Sequence, residues 1–170
     1  NNLIFTVMSV IGQIGISLLI ANVLETKFIR RTAVFFRTVY FIPSLLMVTV
    51  VGIAFQMIYS PSIGIVNPLL EMLGIDTTNI DLLGNAGSAT YAIAGMSQWQ
   101  YIGYTVILFV VAIQNIPSDL YEASEIDGCG AVKKFIYITL PELKVTIIII
   151  TIITVTDSIR EYDEVFVTTN

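Results

Sequence analysis

Apolar residues run along this chain in long blocks rather than in alternation. The first block, 3–24, is interrupted only by Thr, Ser, Gln, Gly and Asn. A second, 35–59, follows a basic stretch; a third spans 90–113 and a fourth 143–159. A helix needs about 20 residues, at about 1.5 Å rise each, to cross a hydrocarbon core about 30 Å thick. The first three blocks meet that length. The fourth is shorter and contains TIIIITIITVT, a composition that favours a strand in water. In lipid an open strand leaves its backbone groups unpaired, so a helix is expected there too. The pattern predicts an all-α, polytopic transmembrane helix bundle.

Composition strengthens this reading. The chain is 55% apolar and 12% charged, with a mean hydropathy of +0.84. Ordinary soluble domains carry about 25% charged residues. The cations then set an orientation. Lys27, Arg30, Arg31 and Arg37 lie in or beside the first connection, and Lys133, Lys134 and Lys144 lie around the third. The long second connection, 60–89, has no cation but holds Glu71, Asp76 and Asp81. The positive-inside rule places residues 25–36 and 117–141 in the cytoplasm and 60–89 outside a cell membrane. Arg30-Arg31 also fits anionic lipid, with a plain topology anchor as the alternative. The outer connection has turn formers at Pro61, Gly64 and Pro68 and a short amphipathic piece.

The chemistry on offer is narrow. There is no histidine and one cysteine, Cys129. That removes the commonest general base, an internal disulfide and any cysteine-built metal cage. No metal or cofactor site is expected. No Ser–Lys pair or Asp dyad at membrane depth suggests an intramembrane enzyme, and a net charge of −5 argues against nucleic acid as a partner. Polar residues inside the blocks are informative because burying them in lipid is unfavourable. Gln13, Gln56, Gln98, Trp99, Gln100, Tyr101 and Tyr104 are candidates for a solute path, since amides bridge hydroxyls and aromatic faces pack on C–H surfaces. Each has a structural alternative: Gln13 as interhelical glue, Trp99 and Tyr101 as interfacial anchors. Asp157, Arg160, Glu161, Asp163 and Glu164 read as an outer cap of ion pairs or as a charged lining of the path. Gly12, Gly15, Ser17 and Ala21 read as small packing residues.

The most polar long stretch is Tyr121–Pro141. Pro117 with Ser118 or Asp119 makes a helix start with a capping side chain. Glu122 and Glu125 share a face. Asp127-Gly128 is a turn pair. A second short helix follows from about Ala131, with Lys133 and Lys134 directed at water, and Pro141 opens the last apolar helix. The whole is a helix–turn–helix bracket, which fits either an amphipathic surface loop or a plug for a groove on another protein.

EASEIDGCGAVKKFIYITLP within this stretch resembles the EAA loop of binding-protein-dependent ABC transporter permeases. Glu122, Ala123, Asp127, Gly128, Phe135, Ile138, Leu140 and Pro141 match that pattern. Ser124 stands where a second alanine is usual and Cys129 where alanine follows the glycine, both small replacements. FFRTVYFIPSLLMVTVVGIAFQMIYSPSIGIVNPLL is similar to a core helix and outer loop of the sugar-type permeases. WQYIGYTVILFVVAIQNIPSDLYEASEIDG and REYDEVFVTTN are similar to later stretches of the same family. The resemblance implies an importer subunit without nucleotide chemistry of its own, and no Walker-type motif is present. Its implied partners are a cytoplasmic ATP-binding subunit, a second permease subunit, an extracytoplasmic solute-binding protein and the lipid bilayer. Glu122, Ala123, Ser124, Asp127 and Gly128 would dock the ATPase. Further helices before and after are implied, so the chain is read as a fragment of a larger permease. Sugar is the expected solute. The alternatives are another polar solute, such as a polyol or glycerol phosphate, or a non-transporting scaffold that recruits a cytoplasmic partner.

Overall fold

A computed structural model describes residues 2–26, 33–74, 77 and 81–160. Lys27, Arg30, Arg31, Asp76, the Arg160 side chain, Glu161, Asp163, Glu164 and the closing stretch lie outside the described residues. Among the described residues all regular structure is helical. Helix α1 is Asn2–Leu24, α2 Ala33–Phe41, α3 Val48–Tyr59, α4 Val66–Met72 and α5 Ala86–Gln114. Helices α6 (Ser118–Ile126), α7 (Ala131–Lys134), α8 (Leu140–Glu142) and α9 (Lys144–Arg160) follow. The 29-residue α5 is the central post. Helix α1 packs along it, α9 packs chiefly on α1, and α2 with the turn after it rests on α5.

Packing differs from that of a protein in water. The buried side of α1 carries Ser9, Gln13, Ser17 and Ala21, one turn apart, together with Phe5, Leu18 and Leu24, while Val7, Ile11 and Leu19 are exposed by 55%, 68% and 60%. Lipid tails are as apolar as leucine, so helices in a membrane associate through small and polar residues and leave large apolar side chains outward. Gly12 fits this interface, since a Cβ there would lie 3.0 Å from Gln98 Oε1. Gly15 does not: it is exposed, with nothing near it. It sits two residues, roughly 200° of helical rotation, from Gln13, and so takes no part in the small-residue seam expected of it.

Where the pattern predicts one helix over 35–59, the chain breaks. A 3₁₀ turn, Ile42–Leu45, follows α2, and α3 leaves at 96° to the first half. Pro43 stands at the start of the turn. It has no N–H to give to the carbonyl a turn earlier, and its ring crowds that carbonyl. Freed backbone groups at membrane depth must be covered by protein. Ser44 Oγ donates to Phe41 O at 2.7 Å, and Gln100 Nε2 of α5 donates to Leu46 O at 3.1 Å. Gly103 lets α5 approach this break, because any side chain there would overlap the Tyr40 carbonyl.

The fourth block is a helix despite its strand-like residues. Thr151 and Thr156 hydroxyls each donate to the carbonyl four residues back, both at 2.7 Å, and Ser158 does so at 2.6 Å. That internal satisfaction makes threonine tolerable in lipid. The helix proper starts at Lys144. Pro141 opens α8 instead, which with α7 meets α9 at 66°.

Candidate functional site

Two polar features stand out in this apolar frame. The first is a partly open cavity of about 350 Å³ between α1, α5 and α9. Its size falls in the range of ligand pockets, roughly 300–1,000 Å³. Helix α1 contributes Ser9 and Gln13; α5 contributes Ser97, Tyr101, Tyr104 and Thr105; α9 contributes Thr154, Asp157 and Ser158. On each helix these positions recur every three or four residues, so each helix turns one polar face inward. Gln13 Nε2 donates to Thr105 Oγ1 at 2.7 Å, and Thr105 Oγ1 lies 3.4 Å from the Tyr101 carbonyl, to which it donates. The Ser9 hydroxyl is buried and lacks a partner among the described residues. The wall thus sets hydroxyls, one amide, one carboxyl group and two phenol rings beside the apolar Val48, Leu108, Ile150 and Ile153.

Gln13, Tyr101 and Tyr104, three of the residues singled out as path candidates, are therefore brought together. The others lie elsewhere. Gln98 Nε2 bonds Ser9 O at 3.3 Å, and Gln100 serves the helix break. Trp99 packs on Phe55 with ring centroids 5.4 Å apart, and Gln56 is half-buried on α3. Sequence reading missed Ser9, Ser97, Thr105, Thr154 and Ser158. Their one-turn spacing from Gln13, Tyr101 and Asp157 was the available signal. It also missed a tie at the other end of the bundle, where Glu25 accepts from both Arg37 and, at 3.1 Å, Gln114 Nε2. Asp157, read either as an outer cap or as path lining, is at the cavity wall.

The second feature is the bracket formed by α6, α7 and their turn. Glu122, Ala123, Asp127 and Gly128 are exposed. Ser124 is buried, its hydroxyl donating to Tyr121 O at 2.7 Å. Its place is therefore on the covered side of the bracket. Gly128 has φ +71°, the left-handed conformation that ends helices without Cβ strain. Cys129 N donates back to Ser124 O at 2.9 Å. The expected side-chain cap is not made: Pro117 is the cap residue, and Ser118 Oγ donates to Asp119 Oδ1 at 3.4 Å instead. Lys134, expected in water, reaches back to Glu125 at 2.9 Å. Tyr121 Oη and Thr139 Oγ1 share a hydrogen bond of 2.9 Å, tying α6 to the π-helical stretch Phe135–Thr139 that leads to α8 and α9.

Residues 13–169 match the family described as binding-protein-dependent transport system inner membrane component. The chain is 37% identical over 169 residues to the probable ABC transporter permease protein YurN of Bacillus subtilis, covering 99% of this chain and 58% of that protein. It is 33% identical over 168 residues to the arabinooligosaccharides transport system permease protein AraP of Halalkalibacterium halodurans, covering 98% of this chain and 52% of that one. The chain thus spans little more than half the length of these relatives. A crystal structure of a bacterial ABC transporter that imports the acidic polysaccharide alginate superposes with a TM-score of 0.84 at 21% identity, over 99% of this chain and 62% of that one. With the apolar exterior, the helix order and the match over almost all its length, this chain belongs to the family of membrane-embedded permease components of binding-protein-dependent ABC transport systems.

Proposed function

We propose that this chain carries the solute path and the coupling loop of an ABC importer permease for a sugar. The polar cavity between α1, α5 and α9, wrapped in apolar helices, is the observation that supports it most directly. Hydroxyls, an amide and tyrosine faces suit a polyhydroxylated ring, and the name of the arabinooligosaccharide relative points to the same solute class. The bracket offers Glu122, Ala123 and Asp127 to a groove on a cytoplasmic ATP-hydrolysing subunit, with Gly128 setting the turn and Ser124 bracing it from within. Helix α9 joins the two features. It starts beside the bracket and lines the cavity with its later turns. Movement of the bracket driven by ATP would thereby reach the cavity walls. Solute arrives from an extracytoplasmic binding protein, and a second permease subunit completes the path. Residues 25–36 and 117–141 are cytoplasmic and 60–89 outside.

The test uses Cys129 in the full-length permease with any other cysteines removed. Oriented vesicles are treated with a membrane-impermeant maleimide, and ATP-driven uptake is measured in proteoliposomes holding the complete transporter. Labelling from the cytoplasmic side only, blocked by the ATPase subunit, together with uptake of a neutral oligosaccharide, is expected. Labelling from outside overturns the orientation. Recruitment of the ATPase without solute-dependent hydrolysis makes the chain a scaffold.

A further inference from the structure

We infer that Asp157 is a specificity-determining residue that makes the cavity accept uncharged or cationic saccharides and turn away anionic ones such as uronic acids and sugar phosphates. This rests on the solute-path reading above and deepens it from sugar to a charge class.

The inference comes from what faces the cavity. Among the described lining residues Asp157 is the one acidic side chain, and none is a lysine or arginine. The other polar groups on the wall are hydroxyls, phenols and one amide. The described cations stand at the other end of the bundle. Arg37 is paired with Glu25, and Lys134 with Glu125. Lys133 and Lys144 belong to the bracket side, and Lys144 begins α9. Thirteen residues of helix separate Lys144 from Asp157, about 20 Å at 1.5 Å per residue. That exceeds the screening length of about 8 Å at physiological salt. No cation among the described residues is therefore placed to offset the Asp157 carboxylate at the cavity wall.

The consequences for a solute follow from elementary electrostatics. A carboxylate accepts hydrogen bonds from neighbouring hydroxyls of a neutral sugar and attracts an amino group. A carboxylate or phosphate on the solute meets a like charge at Asp157, an exposed residue of the cavity lining, and is repelled there. Like-charge juxtaposition of this kind is a strong device for rejecting a wrong partner. The glycerol phosphate alternative left open by the sequence is disfavoured on the same ground.

The experiment reads the charge of the cavity without needing the solute. The full-length permease is assembled with its ATPase and second permease subunit in nanodiscs, carrying Cys129→Ser and Thr154→Cys with any other cysteines removed. Position 154 lines the cavity one turn before Asp157. Rates of modification by two methanethiosulfonates, one bearing trimethylammonium and one sulfonate, are measured and divided by their rates with a free small thiol. The cationic reagent is expected to be favoured on the order of tenfold, and Asp157→Asn to bring the ratio close to one. A ratio near one with Asp157 present, as neutralisation by Arg160 would give, overturns the inference while leaving the solute path intact. So does a ratio unchanged by Asp157→Asn. Failure of both reagents to modify the thiol introduced at position 154 shows a cavity closed to water, and then the solute-path reading falls together with the inference.

Discussion

The bracket and the cavity are both polar islands in an apolar chain, and they are built in opposite ways. The bracket is assembled from one short span: Tyr121 meets Thr139, Glu125 meets Lys134, and Ser124 meets Cys129. Glu122, Asp127 and Lys133 remain exposed to water. The cavity is assembled across the chain, with Gln13 bonded to Thr105 92 residues away and α9 closing the third side. Its polar groups are mostly hydroxyls, of which Ser9, Ser97, Thr105 and Ser158 are buried beside Gln13. A surface that must be recognised from outside can be local. A cavity between helices must be shared, because one helix offers only one face. The two are therefore separable by mutation, except where they share scaffold.

The largest effect is expected at the shared scaffold. Gly103→Leu places a side chain where the Tyr40 carbonyl lies, at the point where the broken helix rests on α5. The break and α5 must part, and the backbone carbonyls of the turn lose their cover. Overpacking of this kind is destabilising by about 1–3 kcal/mol or more. Both features should fail together, seen as loss of folded permease in detergent by size exclusion and thermal melting. Normal melting with normal uptake would remove the break from the scaffold.

Next comes a lesion confined to the bracket. Proline fixes φ near −65°, whereas Gly128 sits at +71°. Gly128→Pro is expected to reduce uptake to background and release the ATPase subunit in pull-down, with membrane insertion intact. Glu122→Lys should act similarly through charge. Full uptake by either variant counts against docking through this loop.

The contrast also explains what could be read from the residues alone. The bracket was legible because its signals are local: Asp127-Gly128 is a turn wherever it occurs, and the match around Glu122 and Ala123 falls within one stretch. The helical blocks were legible because lipid demands length and apolarity. The inward turn of Ser124 and the recruitment of Lys134 were not, since each depends on how α6 folds against α7. The break at Pro43 was hidden inside a continuous apolar run, whose hydropathy does not register a 96° change of direction. Of the aromatic and amide candidates on α5, Tyr101 and Tyr104 reach the cavity while Gln98 and Gln100 do not. Neighbouring residues on a helix differ by about 100° in direction, and only the position of α1 and α9 decides which direction faces the cavity.

A lesion confined to the cavity should be milder. Gln13→Leu removes the amide that bonds Thr105 at 2.7 Å and leaves that hydroxyl its link to the Tyr101 carbonyl. One net hydrogen bond is worth about 0.5–1.5 kcal/mol. Uptake by the assembled transporter should fall by about threefold to tenfold, with ATPase binding unchanged. Lost ATPase binding in this variant would mean that the two features are not separable.

The smallest effect is expected from Lys134→Ala. Its partner Glu125 has a side chain exposed by 52%, while Lys134 itself is exposed by 18%. A pair so open to water contributes about 0–1 kcal/mol, because solvent and salt screen it and two long side chains must be ordered. The bracket retains the Tyr121–Thr139 bond and the Gly128 turn, both independent of this charge. Uptake should therefore drop by less than about fivefold at low salt, and raising the ionic strength should narrow the gap to the unmodified protein. Gly128→Pro should show no such salt dependence, since its defect is steric. A collapse of uptake in Lys134→Ala comparable to the Gly128 variant would place the ammonium at the docking surface itself, in contact with the ATPase rather than bracing the loop.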